Sequence, residues 1–591
     1  MKVPTPTPFR YRPVLCLLTT AALSLGRLEN LPAAPTLELL VEFTSNGATN
    51  RGATPYAALT LAADGNFYGT TRMGGTLDYG TIFRMTPNGV LTTLVDFTSN
   101  GASNRGADPT AALVQGSDGN FYGTTYLGGA LGYGGGGQGF GTVFRMTPAG
   151  VLTTLIDFSN GAPAYGSNPY GGLAVGPDGN LYGTTVFGGT TSGTAFRVTP
   201  DGTQTDIVDF TFNGASNRGA TPYGGLMLAP DGNFYGTTEA GGATVYNYGT
   251  IFRLKPTGAL TTLVDFTADG PSNRGAGPYA PPTLGADGNF YGTTRFGGAS
   301  GFGTIYKMTP AGALTTLFES YLGTFPNLGG NFSSGLLLGP DNNLYGTAET
   351  GGGVGYGTVY RITPAGVLTL VASFSGNGGA TPGSTPYAVP VKGADGNLYG
   401  TTSRGGAFGF GTIYRLRFGP TPLTQPATPI FTTSATLNGT LNANGASSNA
   451  VFEYGTSPGA LTNTSSPQSV AAGTSPVPVV VSVTGLNANT IYYFRLRGDN
   501  GDQFQPQRGD ILSFLTNNGP KFISVSPAAG GQLVRWQDQA AGASYRVQYN
   551  DDLMAAWQLF AGTVTSDSGG VIDFVDLAPP TQRFYRLVSV P

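Results

Sequence analysis

Histidine is absent from this 591-residue sequence, and the one cysteine, Cys16, lies near its start. Lacking imidazole, the chain has no Ser-His-Asp or Cys-His arrangement and none of the commonest general base or metal ligand. A chain processed beyond Cys16 carries neither a disulfide nor a thiol nucleophile. Charge is scarce too: 10% of residues are Asp, Glu, Lys or Arg, and the net charge is −3. That balance gives no basic footprint for nucleic acid or an anionic membrane. After the first 35 residues no apolar run is long enough to span a bilayer, so no transmembrane segment is expected. No cofactor or metal is expected either.

Glycine and aromatics are plentiful. The 96 glycines show no period of three, which excludes collagen, and aromatics at 11% give the chain material for a core. Lys2, Arg10 and Arg12 precede the short apolar run from Val14 to Leu25. Residues 1–35 therefore read as a secretory signal peptide, with the mature chain beginning between Arg27 and Thr36. Pro13-Val14-Leu15 lacks the small residues of a lipobox before Cys16.

Seven copies of Asp-Gly-Asn-(Phe/Leu)-Tyr-Gly-Thr-Thr, or close variants, begin at Asp64, Asp118, Asp178, Asp231, Asp287, Asp341 and Asp395. A near-fixed period means that each repeat is one supersecondary unit. In the first copy, Ala57–Ala62, Asn66–Thr71, Thr81–Met85 and Val90–Phe97 read as four antiparallel strands. Asp64-Gly65 and Asn88-Gly89 supply the positive φ angles of tight hairpins. Four strands per repeat predict a seven-bladed β-propeller over residues 36–418. The last repeat lacks a fourth strand, and Leu37–Phe43 precedes the first, so the N-terminal strand is expected to close the ring against Gly411–Arg417. Opposite charges twelve apart (Arg84/Asp96, Arg145/Asp157, Arg197/Asp209, Arg253/Asp265, Lys307/Glu319) suggest cross-strand pairs, and the same rule makes Glu42 the partner of Arg415.

The motif, followed by Gly-Gly and by Gly-Thr-Ile-Phe-Arg-Met-Thr-Pro-x-Gly-x-Leu-Thr-Thr-Leu, resembles the tandem repeat called GloVer, found in bacterial "choice-of-anchor" surface proteins. That resemblance implies export and a propeller-like array, with no particular activity. Residues 419–429 read as a Pro/Thr linker. Residues 430–517 resemble a fibronectin type III domain, with Tyr492 at the tyrosine-corner position. A smaller fibronectin-like β-sandwich is expected over 518–591, its only tryptophans, Trp536 and Trp557, in the core. The fold class expected is thus all-β: the propeller plus two C-terminal β-sandwich modules.

Binding residues concentrate on long loops. One face is expected to carry Arg51, Arg105, Arg218 and Arg274 in Asn-Arg-Gly triplets, and Tyr56, Tyr170, Tyr223, Tyr279 and Tyr387, each just after a proline. These side chains either bind a glycan or protein, or plug gaps and brace loops. Directly after Gly-Thr-Thr the repeats differ: Arg72, Tyr126, Val186, Glu239, Arg295, Glu349 and Ser403. Glu239 and Glu349 offer a carboxylate pair for glycoside hydrolysis if suitably spaced, or are solvated acids. Asp-Gly-Asn is read as a turn because it has too few oxygens for calcium. The sequence reading is a secreted or cell-surface, non-enzymatic, monomeric binding protein with an extracellular glycan or protein ligand. The alternatives are a glycoside hydrolase or lyase using Glu239 and Glu349, and a structural surface spacer.

Overall fold

The computed structural model describes residues 35–591 apart from 102–104, 130–138, 159–165, 190–191, 215–216, 244–246, 272, 322–327, 340, 502–505, 518–520, 529–530, 538–543, 551–557, 561–563, 566–570, 578–582 and 590–591. The leader, with Cys16, lies outside the described residues, as does Trp557. Every element among the described residues is a strand, and no helix is long and apolar enough to cross a membrane.

The repeated motif is explained atom by atom. Gly65 takes φ +78°. Asp64 then accepts hydrogen bonds from the Asn66 N–H at 3.0 Å, the Asn66 amide at 2.9 Å and the Tyr68 hydroxyl at 3.0 Å. Gly69 leaves room for the Phe83 ring, which a Cβ would approach to 2.5 Å. Thr81 and Thr71 share a hydroxyl bond at 2.8 Å across the sheet, and the Thr71 hydroxyl also reaches the Met73 carbonyl at 2.9 Å. Thr70 points the other way, donating to the Ala111 carbonyl of the next repeat at 3.1 Å. Equivalent threonines join each repeat to its successor, and Thr401 of the seventh donates to Ala57 of the first at 3.1 Å.

Each repeat forms its own four-stranded antiparallel sheet. The first contains Thr60–Leu61, Phe67–Thr71, Thr81–Met85 and Leu91–Asp96, in that order. The seventh contains Val391–Lys392, Leu398–Thr402 and Thr412–Arg417, completed by Thr36–Glu42 from the N-terminus. The strand count therefore places the N-terminal strand where it is found. The fold class expected from the sequence is nevertheless corrected by this topology: the chain is all-β, built of separate antiparallel sheets, and among the described residues they form no closed barrel or propeller. Strand counting fixes the number of sheets and the order within each. It does not fix their assembly, and no strand ladder runs from one sheet into the next.

Apolar side chains fill the spaces between neighbouring sheets. Tyr68 stacks on Phe121 with centroids 4.0 Å apart, and Phe67 packs on Tyr399 at 4.2 Å. Val41, Phe43, Phe67, Phe83, Tyr399 and Ile413 share one buried cluster that spans the first and seventh repeats. Burying a side chain of this size contributes about 1.5–3 kcal/mol.

The expected charge pairs are also corrected. The hairpin register sets Arg84 opposite Thr92, and beyond a bulge between Ile82 and Phe83 Asp96 lies opposite Thr81, so the residues twelve apart do not face each other. Arg84 lies instead opposite Tyr68, beside the turn. Lys307 pairs with Asp287 at 2.8 Å, and Arg361 lies 3.6 Å from Asp341. Arg415 pairs with Glu38 at 2.7 Å rather than with Glu42, which sits opposite Thr412 and accepts from the Ala407 N–H at 2.7 Å.

Within the stretch expected as a linker, Thr421–Gln425 is a strand paired to Ser434–Asn442. It belongs to a fibronectin-like unit in which a three-stranded sheet faces a six-stranded one over Leu437, Phe452, Phe494 and Leu496. The Asn487 N–H donates to the Tyr492 hydroxyl at 3.0 Å, the contact that defines a tyrosine corner. The last unit packs Trp536 with Val534, Tyr545, Val547 and Ile572 between a three- and a four-stranded sheet.

Candidate functional site

Every repeat has a residue of left-handed backbone just before its first strand: Thr54 (φ 56°), Asp108 (60°), Asn168 (57°), Thr221 (51°), Gly277 (58°), Asn331 (56°) and Thr385 (55°). Its carbonyl accepts the N–H of the variable residue after Gly-Thr-Thr, from Arg72 at 3.0 Å through Glu239 at 3.1 Å to Ser403 at 3.2 Å. Its own N–H donates to the preceding repeat, as Asp108 does to Tyr79 at 3.1 Å and Thr54 to Phe410 at 2.8 Å. A β-branched residue at positive φ is strained by about 1–3 kcal/mol, and such strain persists where surrounding contacts over-determine it. The result is a rigid ledge that aims the next side chains inward.

Those side chains line one cavity of about 220 Å³, to which all seven repeats contribute: Tyr56, Thr110, Tyr170, Tyr223, Tyr279, Ser333 and Tyr387. Tyr56 stacks on Tyr387 at 4.0 Å, and Tyr223 on Tyr279 at 5.1 Å with an interplanar angle of 8°. Tyr170 meets Tyr223 edge-on at 5.0 Å and Tyr126 edge-on at 5.7 Å. Burial pushes the Tyr170 hydroxyl up to about 12 and raises those of Tyr56 and Tyr279 further, so all three stay protonated donors at neutral pH.

The variable positions reach sideways to the next repeat. Arg72 makes a two-armed pair with Asp108, one arm at 3.0 Å, and lies 5.6 Å from the centre of the Tyr56 ring. Arg295 lies 5.1 Å from the Tyr279 centroid and donates through one terminal nitrogen to Glu349 at 3.2 Å. Its Nε is 3.1 Å from the other Glu349 oxygen but off the hydrogen-bonding direction, leaving a buried donor without a protein acceptor. Glu349 also accepts from the Ser333 hydroxyl. Burial raises the Glu349 carboxyl above the ordinary carboxylate range, against the pull of Ser333 and Arg295. Glu239 accepts from the Tyr279 hydroxyl at 3.0 Å and from Thr221 at 3.2 Å. The two carboxylates are thus linked through Tyr279 and Arg295.

The four loop arginines lie elsewhere. Arg51 pairs with Asp96 at 2.8 Å, Arg105 with Asp157 at 2.9 Å, Arg218 with Asp265 at 3.2 Å and Arg274 with Glu319 at 2.7 Å. Each ties a loop to the outer strand of its neighbouring sheet. Of the arginines named from the sequence, Arg295 lines the cavity and Arg72 touches it through Tyr56, while these four are apart from its lining.

Sequence reasoning missed Asp108 and Ser333. The usable signal for Asp108 was that it is the only acid among the seven residues at the left-handed position, in the repeat that follows an arginine at the variable one. Phe332-Ser333 replaces the Pro-Tyr or Pro-Thr of the other repeats, which hid Ser333.

A family model described as Gloeobacter/Verrucomicrobia repeat matches residues 30–211 and again 190–385. No curated protein matches the chain. Among solved structures, a protein of unknown function from Dyadobacter fermentans DSM 18053 overlaps 65% of this chain and 100% of its own, at 11% identity and a TM-score of 0.34. The sensor domain of the anti-sigma factor RsgI4 in Pseudobacteroides cellulosolvens overlaps 16% of this chain and 93% of its own, at 19% identity and a TM-score of 0.14. A two-domain fibronectin type III segment from chicken tenascin overlaps 29% of this chain and 99% of its own, at 17% identity and a TM-score of 0.13.

Proposed function

We propose, for a chain that belongs to the Gloeobacter/Verrucomicrobia repeat family over more than half its length, that it is a secreted or cell-surface binding protein without enzymatic activity. Its ligand, a glycan or a protein, is held at the tyrosine-lined cavity. The observation that carries this reading is the convergence on one cavity of five tyrosines from five repeats, joined by Arg295 of the repeat that supplies Tyr279. Tyrosine gives flat contact area with a polar tip at little entropic cost, which suits recognition. Export rests on the basic and apolar pattern of the leader.

Glycan and protein arrays probed with the full chain test the proposal. Selective binding that weakens at least tenfold in Tyr223→Ala supports it. No binding across both arrays refutes it.

A second reading, a glycoside hydrolase or lyase, draws on the raised Glu349 carboxyl and its link to Glu239. It requires turnover that is lost in a Glu239→Gln/Glu349→Gln variant.

A further inference from the structure

We infer that the cavity takes a single neutral sugar ring, the end of a glycan, an inference that rests on the binding reading above. Its volume of about 220 Å³ suits a ligand of roughly one hexose and is too small for a folded protein surface. The stacked Tyr223 and Tyr279 and the edge-on Tyr170 offer aromatic surface to the C–H faces of a pyranose.

Charge then narrows the class. Arg295, which lines the cavity, is paired with Glu349, and Arg72, beside Tyr56, is paired with Asp108, so neither waits for an anionic ligand. Glu239 adds a carboxylate held by the hydroxyls of Tyr279 and Thr221, which further opposes an anion. A cationic ligand would compete with guanidinium groups already placed near Tyr56 and Tyr279. A neutral ligand rich in hydroxyls avoids both conflicts. It also offers an oxygen to the buried Arg295 Nε–H, whose 3.1 Å approach to Glu349 is off the hydrogen-bonding direction.

Saturation-transfer NMR on the full chain tests this, using glucose, galactose, mannose and xylose against glucuronate, N-acetylneuraminate and tetramethylammonium. The expected result is transfer to at least one neutral sugar, with dissociation in the millimolar range and at least tenfold weakening in Tyr223→Ala. Tyr279→Phe, which removes one hydroxyl and keeps the ring, should weaken binding severalfold and remain folded by circular dichroism. Preference for the anionic sugars or the ammonium ion overturns the neutral-sugar inference and leaves the binding proposal standing. Glycan binding that neither variant changes overturns the inference and also the placement of the ligand at this cavity. A chain that binds no saccharide here and nothing on the glycan and protein arrays overturns both.

Discussion

Carboxylates at the turn end of the repeat sheets and the Glu349 carboxyl at the cavity end behave in opposite ways. At the turn end, burial pushes Asp64 up, but the side chain and N–H of Asn66 and the Tyr68 hydroxyl more than offset it and hold the carboxyl low. Asp118, Asp178, Asp231 and Asp287 follow the same balance, with Lys307 adding to the last. At the cavity end, burial around Glu349 outweighs Ser333 and Arg295, and its carboxyl is held high. A carboxylate ringed by donors stabilises the fold as an anion, whereas one buried beside aromatic rings resists ionisation. The turn end is the same seven times over, and the cavity end differs from repeat to repeat.

The strongest way to break this contrast is to remove both ends of one sheet together. Deleting residues 36–43 strips Glu38 from Arg415 near the seventh turn and Glu42 from Ala407 at the other end. It also removes Val41 and Phe43 from their shared cluster. At about 1.5–3 kcal/mol for each large apolar side chain, plus the lost ladder, the cost approaches the whole stability of a domain. Aggregation, or loss of a cooperative melt, is the expected readout.

Striking the turn end alone should cost less. A triple Asp118→Ala/Asp178→Ala/Asp231→Ala variant loses three accepted hydrogen bonds per turn, about 1 kcal/mol each turn in net terms. Its melting temperature should fall while ligand binding at the cavity stays unchanged.

Acid titration sharpens the comparison. Asp64, Asp118, Asp178, Asp231 and Asp287 have folded pKa values below their unfolded ones, near 3.9, so their stabilisation is complete above that pH and is lost as the pH falls through the folded values. Glu349, raised on folding, has the opposite sign: its contribution is present below about 4.3 and lost as the pH rises through its folded value. Melting temperatures from pH 2 to 8 should therefore drop at the acid end. Glu349→Gln should gain on wild type only above the ordinary carboxylate range.

Between the two ends, Phe83, Phe144, Phe196 and Phe252 occupy the third strand of the first four repeats, and Tyr306, Tyr360 and Tyr414 replace them in the last three. The three tyrosine hydroxyls are buried with no protein hydrogen-bond partner. Tyr306→Phe should raise stability by about 1 kcal/mol, seen as a higher melting temperature. The smallest effect belongs to the loops. Arg51→Ala/Arg105→Ala/Arg218→Ala/Arg274→Ala together should lower the melting point only slightly, because solvent screens these exposed pairs, and leave binding intact.

Much of the fold was legible because the repeat states each strand seven times. The glycines of Asp64-Gly65 and Asn88-Gly89 marked the turns, and the displaced fourth strand told where Thr36–Glu42 pairs. Charge spacing misled because the tight turn, with Met85 opposite Leu91, sets Arg84 against Thr92 and leaves Asp96 farther along the ladder opposite Thr81, so a constant separation of twelve reports the repeat and not a facing pair. The assembly of the sheets was not legible either, since identical strand counts serve more than one arrangement. At the cavity, the tyrosines were visible as residues after proline. The partner of Arg72 was not, because Asp108 lies thirty-six residues away and meets it only through packing between neighbouring repeats.

The pairing of the N-terminal strand has a mechanical consequence. Thr36 lies opposite Arg417, and Glu42 opposite Thr412, so the incoming and outgoing chains leave the seventh sheet at the same end. Tension between residues 36 and 417 would be borne first by that terminal pair and would open the ladder one rung at a time, as a zip opens. The other six sheets, threaded between those two anchor points in sequence but outside that line of force, would feel no pull until the zip had run its length.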